Sequence, residues 1–328
     1  MRRTISLPAV IFLASWITVV APVATSTGIE RRNSAPPSST EPPPETPNRI
    51  KLNVSLVNIF VTVFNKNHEM LTNLNQDDFR VFENSKEQTI ELFSRKIRGP
   101  ITAALLVDTS LSQRYLLGLE QEVASRVVHK ILGDGDQAAV IGFDSDAYLL
   151  ADFTDGVSIL DDAIHQTAVG TPTGPVGTVL YDAVYLACIR LGDQAGRKVL
   201  VVFTDGYDNG SRIELENAFA AAQRTNTTIY VFLIADPRFA GAYGFDSRGE
   251  VVSKILSDRT GGRTFEIRNE ENLGKVLDDF SKEIRSQYAL GYYSTNTKRD
   301  GTLRKIRVKS DAPGATILAR HGYYAPAD

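Results

Sequence analysis

The stretch AALLVDTSLS, residues 103–112, decides the fold. Its first five residues are all apolar, which predicts a short strand buried on both faces of a sheet. The polar residues DTSLS follow at the point where this strand would end. Apolar residues then recur at helical spacing, at Leu116, Leu119, Val123 and Val127. A buried strand that leads into an amphipathic helix is the repeating unit of a parallel sheet covered by helices.

The same alternation of strand and helix patterns continues to about residue 287. Further strands are predicted at residues 137–143, 198–203 and 228–234, and helices at 180–191, 214–225, 251–258 and 272–284. We therefore predict an α/β domain over residues 99–287, with a doubly wound, mostly parallel, Rossmann-like sheet.

Both flanks of this domain show the two-residue period of β-strands instead. On the N-terminal side the predicted strands are residues 57–63, 79–83 and 89–93, and on the C-terminal side 288–293, 305–308 and 316–319. Three strands alone are marginally stable at best. We therefore predict that residues 50–98 and 288–326 pair into one small β-sandwich-like domain, and that the α/β domain is inserted into it.

The first 49 residues predict export. Arg2 and Arg3 precede an apolar run over residues 5–20, and small residues follow near 24–26, which is the order of a secretory signal peptide over residues 1–26. A retained membrane anchor is the alternative, because the apolar run approaches spanning length. Residues 27–49 are rich in Pro, Ser, Thr and Glu and predict an extended linker. We expect a secreted, periplasmic or cell-envelope protein without a membrane span after signal cleavage.

Composition excludes several classes of function. A formal net charge of −3 argues against a general nucleic-acid binder, which would carry a basic face. A single cysteine and four histidines exclude an internal disulfide and a zinc framework. The cysteine, Cys188, falls in a helical pattern and is predicted to be a small buried side chain.

Candidate metal ligands come from three places in the chain. The residues DTSLS, 108–112, have the pattern D-x-S-x-S, the residues TDG, 204–206, follow the most strongly predicted strand, and the loop 170–178 ends on a threonine before a helix. In an open α/β sheet, ligands gather at the carboxyl ends of the strands. Carboxylates and hydroxyls together suit a hard cation, Mg²⁺ in the first place, with Mn²⁺ or Ca²⁺ as alternatives. The candidate ligands are Asp108, Ser110, Ser112, Thr178 and Asp205; the alternative is that these residues only cap turns and helices, Thr178 above all.

In their order along the chain, D-x-S-x-S, then Gly-Thr before a helix and then TDG, these three parts resemble the metal ion-dependent adhesion site (MIDAS) of von Willebrand factor type A (VWFA) domains. The resemblance covers about residues 99–285. It implies that Ser110 and Ser112 bind the metal directly and that Thr178 does so in the ligand-competent state. It also implies that Asp108 and Asp205 act directly or through water.

The flanks extend the resemblance to the whole chain. They are similar to secreted bacterial proteins of the VWFA-related type common in Acidobacteria, through DDFRVFE at residues 77–83, ALGYY at 289–293 and GYYAP at 322–326.

The resemblance implies a protein-binding module for adhesion or assembly, in which a partner's Asp or Glu carboxylate completes the coordination of the metal. Two other functions stay open: a structural envelope protein with a metal-stabilised fold, and a metal-dependent hydrolase or phosphatase. An enzyme is the less favoured of these, because no G-x-S-x-G elbow or phosphate-binding loop is present and the residue two places after Asp108 is Ser110. We expect no catalytic residues.

Overall fold

The computed structural model describes residues 56–97, 99–170, 177–234, 247–267 and 270–327. The predicted signal peptide and linker lie outside these ranges. The strands are β1 (Leu56–Phe64), β2 (Phe79–Glu83), β3 (Lys86–Gln88), β4 (Leu92–Ser94), β5 (Ile101–Asp108), β6 (Gln137–Phe143), β7 (Ala147–Thr154), β8 (Arg197–Thr204), β9 (Thr228–Ile234), β10 (Thr264–Ile267), β11 (Tyr288–Tyr293), β12 (Leu303–Ser310), β13 (Thr316–Ala319) and β14 (Gly322–Tyr324). The helices are α1 (Leu117–Ile131), α2 (Val157–His165), α3 (Leu180–Gly192), α4 (Leu215–Thr225), α5 (Ser247–Thr260) and α6 (Glu270–Ser286).

The central sheet has six strands in the order β10-β9-β8-β5-β6-β7. All neighbours are parallel except β7, which runs antiparallel to β6 at one edge. The strand β5 is buried along its whole length, as its apolar run predicts. The predicted class, a mostly parallel α/β sheet, is confirmed.

Helices cover both faces of this sheet, because successive side chains of a strand point to opposite sides. Leu105 and Val107 of β5 pack in a core with α1, α2 and α6. Ala104 and Leu106 pack in a second core with α3, α4 and α5. The chain therefore leaves β5 toward one face through α1 and leaves the neighbouring β8 toward the other face through α4. A crevice forms at such a switch point, outside the carboxyl ends of the two strands.

The two flanks of the chain share two antiparallel sheets, with the strand orders β13-β1-β11-β4 and β14-β12-β2-β3. The N-terminal strand β1 lies between two C-terminal strands, with Val57 opposite Tyr292 on β11 and Val63 opposite Ile317 on β13. One hydrophobic core joins both sheets. The predicted pairing of the chain ends around the α/β domain is therefore observed.

The sequence did not predict every element of the structure. The antiparallel edge strand β7, the helix α2 and the short strands β3, β10 and β14 were not predicted, and β4 lies at Leu92–Ser94 where residues 89–93 were expected. These elements are short or lie at sheet edges, where tertiary pairing outweighs local pattern. Within the described residues, no helix is both long and apolar enough to span a membrane.

Candidate metal centre

Asp108 is the last residue of β5, and its side chain is fully buried. One carboxylate oxygen, Oδ1, accepts a hydrogen bond from the Ser110 backbone N–H at 3.0 Å. The other, Oδ2, accepts one from the Thr204 hydroxyl at 2.7 Å. The Asp108 carboxylate therefore connects the loop after β5 to the end of β8 and is held in one orientation.

The TDG residues 204–206 form the turn after β8. Besides donating to Asp108, the Thr204 hydroxyl accepts the backbone N–H of Gly206 at 3.0 Å. Asp205 Oδ1 accepts the backbone N–H of Tyr207 at 3.0 Å. Gly206 has a φ of 80°, and a Cβ atom there would lie 2.4 Å from the carbonyl oxygen of Gly249. Glycine is required at this position, because both the backbone conformation and the close approach of α5 exclude a side chain.

The two serines of the D-x-S-x-S pattern lie beside these carboxylates. The Ser110 and Ser112 hydroxyl oxygens are 3.0 Å apart. Ser110 is buried, whereas Ser112 is exposed. Burial raises the pKa of Asp205, and a hydrogen bond from the Ser112 hydroxyl partly offsets that rise. The serines therefore extend from the buried Asp108 to the rim at Asp205.

Electrostatics at this edge of the sheet are unfavourable without a cation. Burial, and then the charge of Asp205, raises the pKa of Asp108 to about 7. Burial also raises the pKa of Asp205. Among the described residues, no Lys or Arg forms an ion pair with either carboxyl group. A divalent cation between them would relieve this repulsion.

Thr178 lies beside the loop that follows β8. Its backbone pairs in both directions with that of Asn209, with N–O distances of 2.9 and 2.8 Å. The interpretation of Thr178 as a side-chain cap of α3 is wrong, because the N-cap residue is Val179 and the first amides of α3 are bonded by Asp208 and Ser211 instead. Residues 171–176 of the preceding loop lie outside the described residues.

The structure thus links Asp108, Ser110, Ser112 and Asp205 through short contacts and places Thr178 on the adjoining loop. Within the described ranges, no three His, Cys, Asp or Glu side chains form a group that could hold a metal ion. The predicted ligand set has only two carboxylates and depends on three hydroxyls. Such a donor set, all oxygen and partly neutral, fits Mg²⁺ or Mn²⁺.

Thr204, which the sequence offered only as part of the TDG pattern, holds Asp108. Two further residues were not singled out from the sequence: Glu120 and Gln113 are fully buried and affect, or are affected by, the carboxyl groups of Asp108 and Asp205. Glu120 could have been found, because it lies three residues before Val123 and seven before Val127, on the buried face of α1. Gln113, in a 3-10 turn, gives no such periodic signal.

The family model for the von Willebrand factor type A domain matches residues 104–279, which is more than half of the chain. The chain belongs to this family. The family resemblance read from the sequence is therefore confirmed. None of the curated proteins matches the sequence.

Solved structures with a similar fold are distant in sequence. The conserved hypothetical protein BatB from Bacteroides thetaiotaomicron is 19% identical, with 56% of this chain and 97% of that chain covered and a TM-score of 0.46. A von Willebrand factor type A protein from Catenulispora acidiphila is 13% identical, with 84% and 75% covered and a TM-score of 0.47. The vWF domain of the type V pili tip protein Mfa5 from Porphyromonas gingivalis is 13% identical, with 56% and 95% covered and a TM-score of 0.45. These likenesses are too distant to assign a function.

Proposed function

We propose that this protein is an exported adhesion or assembly module that binds an acidic group of a protein partner through a divalent cation. Asp108, Ser110, Ser112, Thr178 and Asp205 would hold the cation, with Mg²⁺ preferred and Mn²⁺ or Ca²⁺ as alternatives. Membership of the VWFA family, whose domains serve in protein interactions, supports a binding module. The flanking motifs support the secreted bacterial VWFA-related type, and residues 1–26 support export.

One observation carries the metal proposal. The carboxyl groups of Asp108 and Asp205 are placed together at the mouth of the sheet, and burial raises the pKa of both. A carboxylate in such surroundings is normally paired with a cation or protonated. Since neither carboxyl group forms an ion pair with a Lys or Arg of the described residues, a bound metal ion is a partner that the site fits.

The partner's chemistry follows from the charge of the ligands. Hydroxyls contribute no formal charge, so two carboxylates and three hydroxyls neutralise a divalent cation less completely than three or four carboxylates do. When bound, the cation would supply a Lewis-acidic coordination position for an external carboxylate. Ser112 and the loop after β8 are exposed, which suits a protruding Asp or Glu of a macromolecule. We propose no catalytic role.

Calorimetric titration of the purified protein with Mg²⁺ tests the site. We expect one site, with affinity lowered about 100-fold or more in Asp108→Ala and in Asp205→Ala, because each removes a negatively charged ligand. Asp134→Ala is the matched control, since Asp134 is an exposed aspartate in the turn before β6, at the opposite end of the strand. Binding that is unchanged in both site variants would refute the assignment.

Partner recognition is tested separately from metal binding. We expect capture of a partner in Mg²⁺, loss of capture in EDTA, and competition by free acetate, since acetate offers the same carboxylate. If Mg²⁺ binds and raises the melting temperature but no carboxylate competes or binds, the cation only stabilises the fold. That result would favour the structural envelope protein.

A further inference from the structure

The β-sandwich packs on the α/β domain with the outer face of its first sheet, β13-β1-β11-β4. The guanidinium carbon of Arg197 lies 5.0 Å from the centre of the Phe60 ring on β1, and the Gln287 amide donates a hydrogen bond to the Thr62 hydroxyl on the same strand at 2.9 Å. Arg197 is the first residue of β8, so the β-sandwich lies at the amino ends of the central strands. The candidate metal centre lies at their carboxyl ends, on the opposite side of the α/β domain.

The second sheet, β14-β12-β2-β3, turns its outer face away from the first sheet, because the inner faces of both sheets share one hydrophobic core. Along β12 the inward positions hold Ile306 and Val308, which pack in that core. The outward positions hold Lys305, Arg307 and Lys309, and all three side chains are exposed. Because alternate residues of a strand lie about 7 Å apart, the three cations form a row on this face.

The neighbouring strand β2 widens this row. Arg80 is exposed and lies directly opposite Lys309, and Phe82 lies opposite Arg307. The charged groups of Arg307 and Lys309 lie 5.3 and 5.4 Å from the centre of the Phe82 ring, within the range of a cation–π interaction. One aromatic ring therefore holds two cations together. We call Arg80, Lys305, Arg307 and Lys309 the basic face.

The basic face carries little compensating charge. Among the residues that the structure describes, its three members on β12 form no ion pair, and Arg80 pairs only with Asp311, at 3.4 Å, with both side chains more than half exposed. A further acid, Glu87 on β3, lies on the same face. The chain as a whole has a net charge of −3, so the excess of positive charge is local to this face.

Ordinary structural roles do not account for this arrangement. Lys309 and Arg80 lie directly opposite each other, and like charges in that position destabilise a sheet. Lysines often protect an edge strand from pairing with another chain, but β12 and β2 are the two inner strands of this sheet. Cations that protect no edge and remain largely unpaired are available to an external anion.

We propose that the basic face docks the protein on the surface of an anionic lipid membrane. A row of exposed cations on a sheet face matches a layer of lipid phosphates, and each Lys or Arg near such a surface strengthens binding about fivefold. Leu303, on the same face at the start of β12, is 40% exposed and would enter the apolar boundary beneath the headgroups. An exposed leucine beside the cations favours a membrane over a soluble polyanion, which offers no apolar layer.

The position of the basic face is compatible with the function proposed above. Because the β-sandwich lies at the amino ends of the central strands, docking through this face would leave the carboxyl ends, with the candidate metal centre, open to a partner. The linker predicted over residues 27–49 leads into the β-sandwich and not into the α/β domain. The inference does not depend on metal binding, and either proposal can fail alone.

Co-sedimentation with lipid vesicles tests the proposal. The whole protein is mixed with vesicles of phosphatidylcholine alone or of phosphatidylcholine and phosphatidylglycerol. The double variant Arg307→Gln/Lys309→Gln removes two charges of the basic face. The matched control, Lys275→Gln/Lys282→Gln, removes the same net charge at exposed positions of α6 in the α/β domain. Since residues 1–26 are the same in all three proteins, their own affinity for lipid cancels in the comparison.

We expect the wild type to bind the anionic vesicles more tightly than the neutral ones, and high salt to remove this difference. Arg307→Gln/Lys309→Gln should lower the affinity for the anionic vesicles about 25-fold, because two cations are lost. Lys275→Gln/Lys282→Gln should bind as the wild type does. If Arg307→Gln/Lys309→Gln fails to fold, Lys305→Gln alone should lower the affinity about fivefold.

Equal binding of anionic and neutral vesicles by the wild type would refute the proposal. An equal loss in both double variants would also refute it, because that result would reflect the net charge alone. Soluble polyglutamate provides the remaining comparison. If the basic face binds polyglutamate but not the anionic vesicles, it recognises an acidic polymer and not a membrane, which overturns the proposal.

Discussion

The buried carboxylate of Glu83 in the β-sandwich and that of Asp108 in the α/β domain differ in how their negative charge is compensated. Glu83 accepts hydrogen bonds from the hydroxyls of Tyr292, Ser294 and Tyr323, at 2.8, 2.7 and 2.9 Å. Arg304, also buried, lies 3.4 Å from it. The charge of Glu83 is thus satisfied entirely by the protein.

Asp108 receives one backbone and one hydroxyl hydrogen bond and faces a second carboxylate, Asp205, where Glu83 has an arginine. Its charge is oriented but not neutralised by the described residues. The proposed function accounts for the difference: Glu83 serves the fold, and Asp108 would meet an external ion. The comparison predicts that removing charge destabilises the first cluster and stabilises the second when no metal is present.

The largest effect is expected for Arg304→Met. This variant leaves Glu83 buried without its cation, which should lower the free energy of unfolding by about 3–5 kcal/mol. Urea unfolding measures it. Arg307→Met is the control, because Arg307 is on the same strand but exposed, and its removal should change stability by less than about 1 kcal/mol. If the two variants lowered the free energy of unfolding equally, Arg304 would not be the cation that compensates Glu83.

The opposite sign is expected for Asp108→Asn in EDTA at pH 8. The amide keeps the shape of the side chain and removes an uncompensated buried charge, so the unfolding free energy should rise by about 1–3 kcal/mol. Mg²⁺ should raise the melting temperature of the wild type and leave that of the variant unchanged. A variant that is less stable than the wild type in EDTA would mean that Asp108 is a structural acid like Glu83.

The stability of the metal-free protein should depend on pH through Asp108. Its folded pKa, about 7, lies above the ordinary value of 3.8. The folded state therefore holds the proton more tightly than the unfolded state, and stability is fully present below pH 3.8 and is lost as pH rises toward 7. The loss should be about 4 kcal/mol, because each pH unit between the two pKa values contributes about 1.4 kcal/mol.

Thermal unfolding across this pH range in EDTA checks the dependence. Glu283, whose pKa burial raises to about 7, acts in the same direction, as do Asp205 and Glu120, whose pKa values burial also raises. Asp108→Asn abolishes the share of Asp108 together with the effect that its charge has on the pKa of Glu120. Saturating Mg²⁺ should flatten the same part, because the cation competes with the proton. If the variant and the wild type show the same slope, the proton is not bound at Asp108.

The smallest effect on cation affinity is expected for Thr178→Ala. Thr178 lies beside Asn209 and would contribute only a neutral hydroxyl, so Mg²⁺ affinity should fall only about threefold. Partner or acetate binding should fall more, about tenfold, because under the proposed function Thr178 would couple that loop to the ion. Titration of both ligands decides this. If Mg²⁺ affinity fell more than acetate affinity, Thr178 would belong with the primary metal ligands.

The local sequence pattern was sufficient to predict an element where neighbouring residues of a short segment are buried together. The apolar residues of β5 and β8 predicted fully buried strands, and the period of α3 predicted its inner face, including the buried Cys188, whose pKa burial raises to about 12. The D-x-S-x-S and TDG residues could be placed at one edge because the carboxyl ends of parallel strands meet there.

Contacts between residues far apart in the sequence determined the features that the local pattern did not predict. The edge strand β7 contains an exposed Leu149 and a register irregularity, so its pattern is weak and its pairing with β6 defines it. Arg304 reaches Glu83 across more than 200 residues, and no local rule selects that pair over the exposed Arg307.

The sequence by itself therefore determined the class of fold, the family and the chemical types that meet at the mouth of the sheet, because these depend on periodicity and on the order of strands. Only the tertiary structure decided which buried acids are neutralised. Glu83 has its arginine, whereas Glu120 has none among the residues that the structure describes, although both are glutamates on buried faces of regular elements. Charge compensation depends on the three-dimensional surroundings of a group, and those come from parts of the chain that local pattern does not connect.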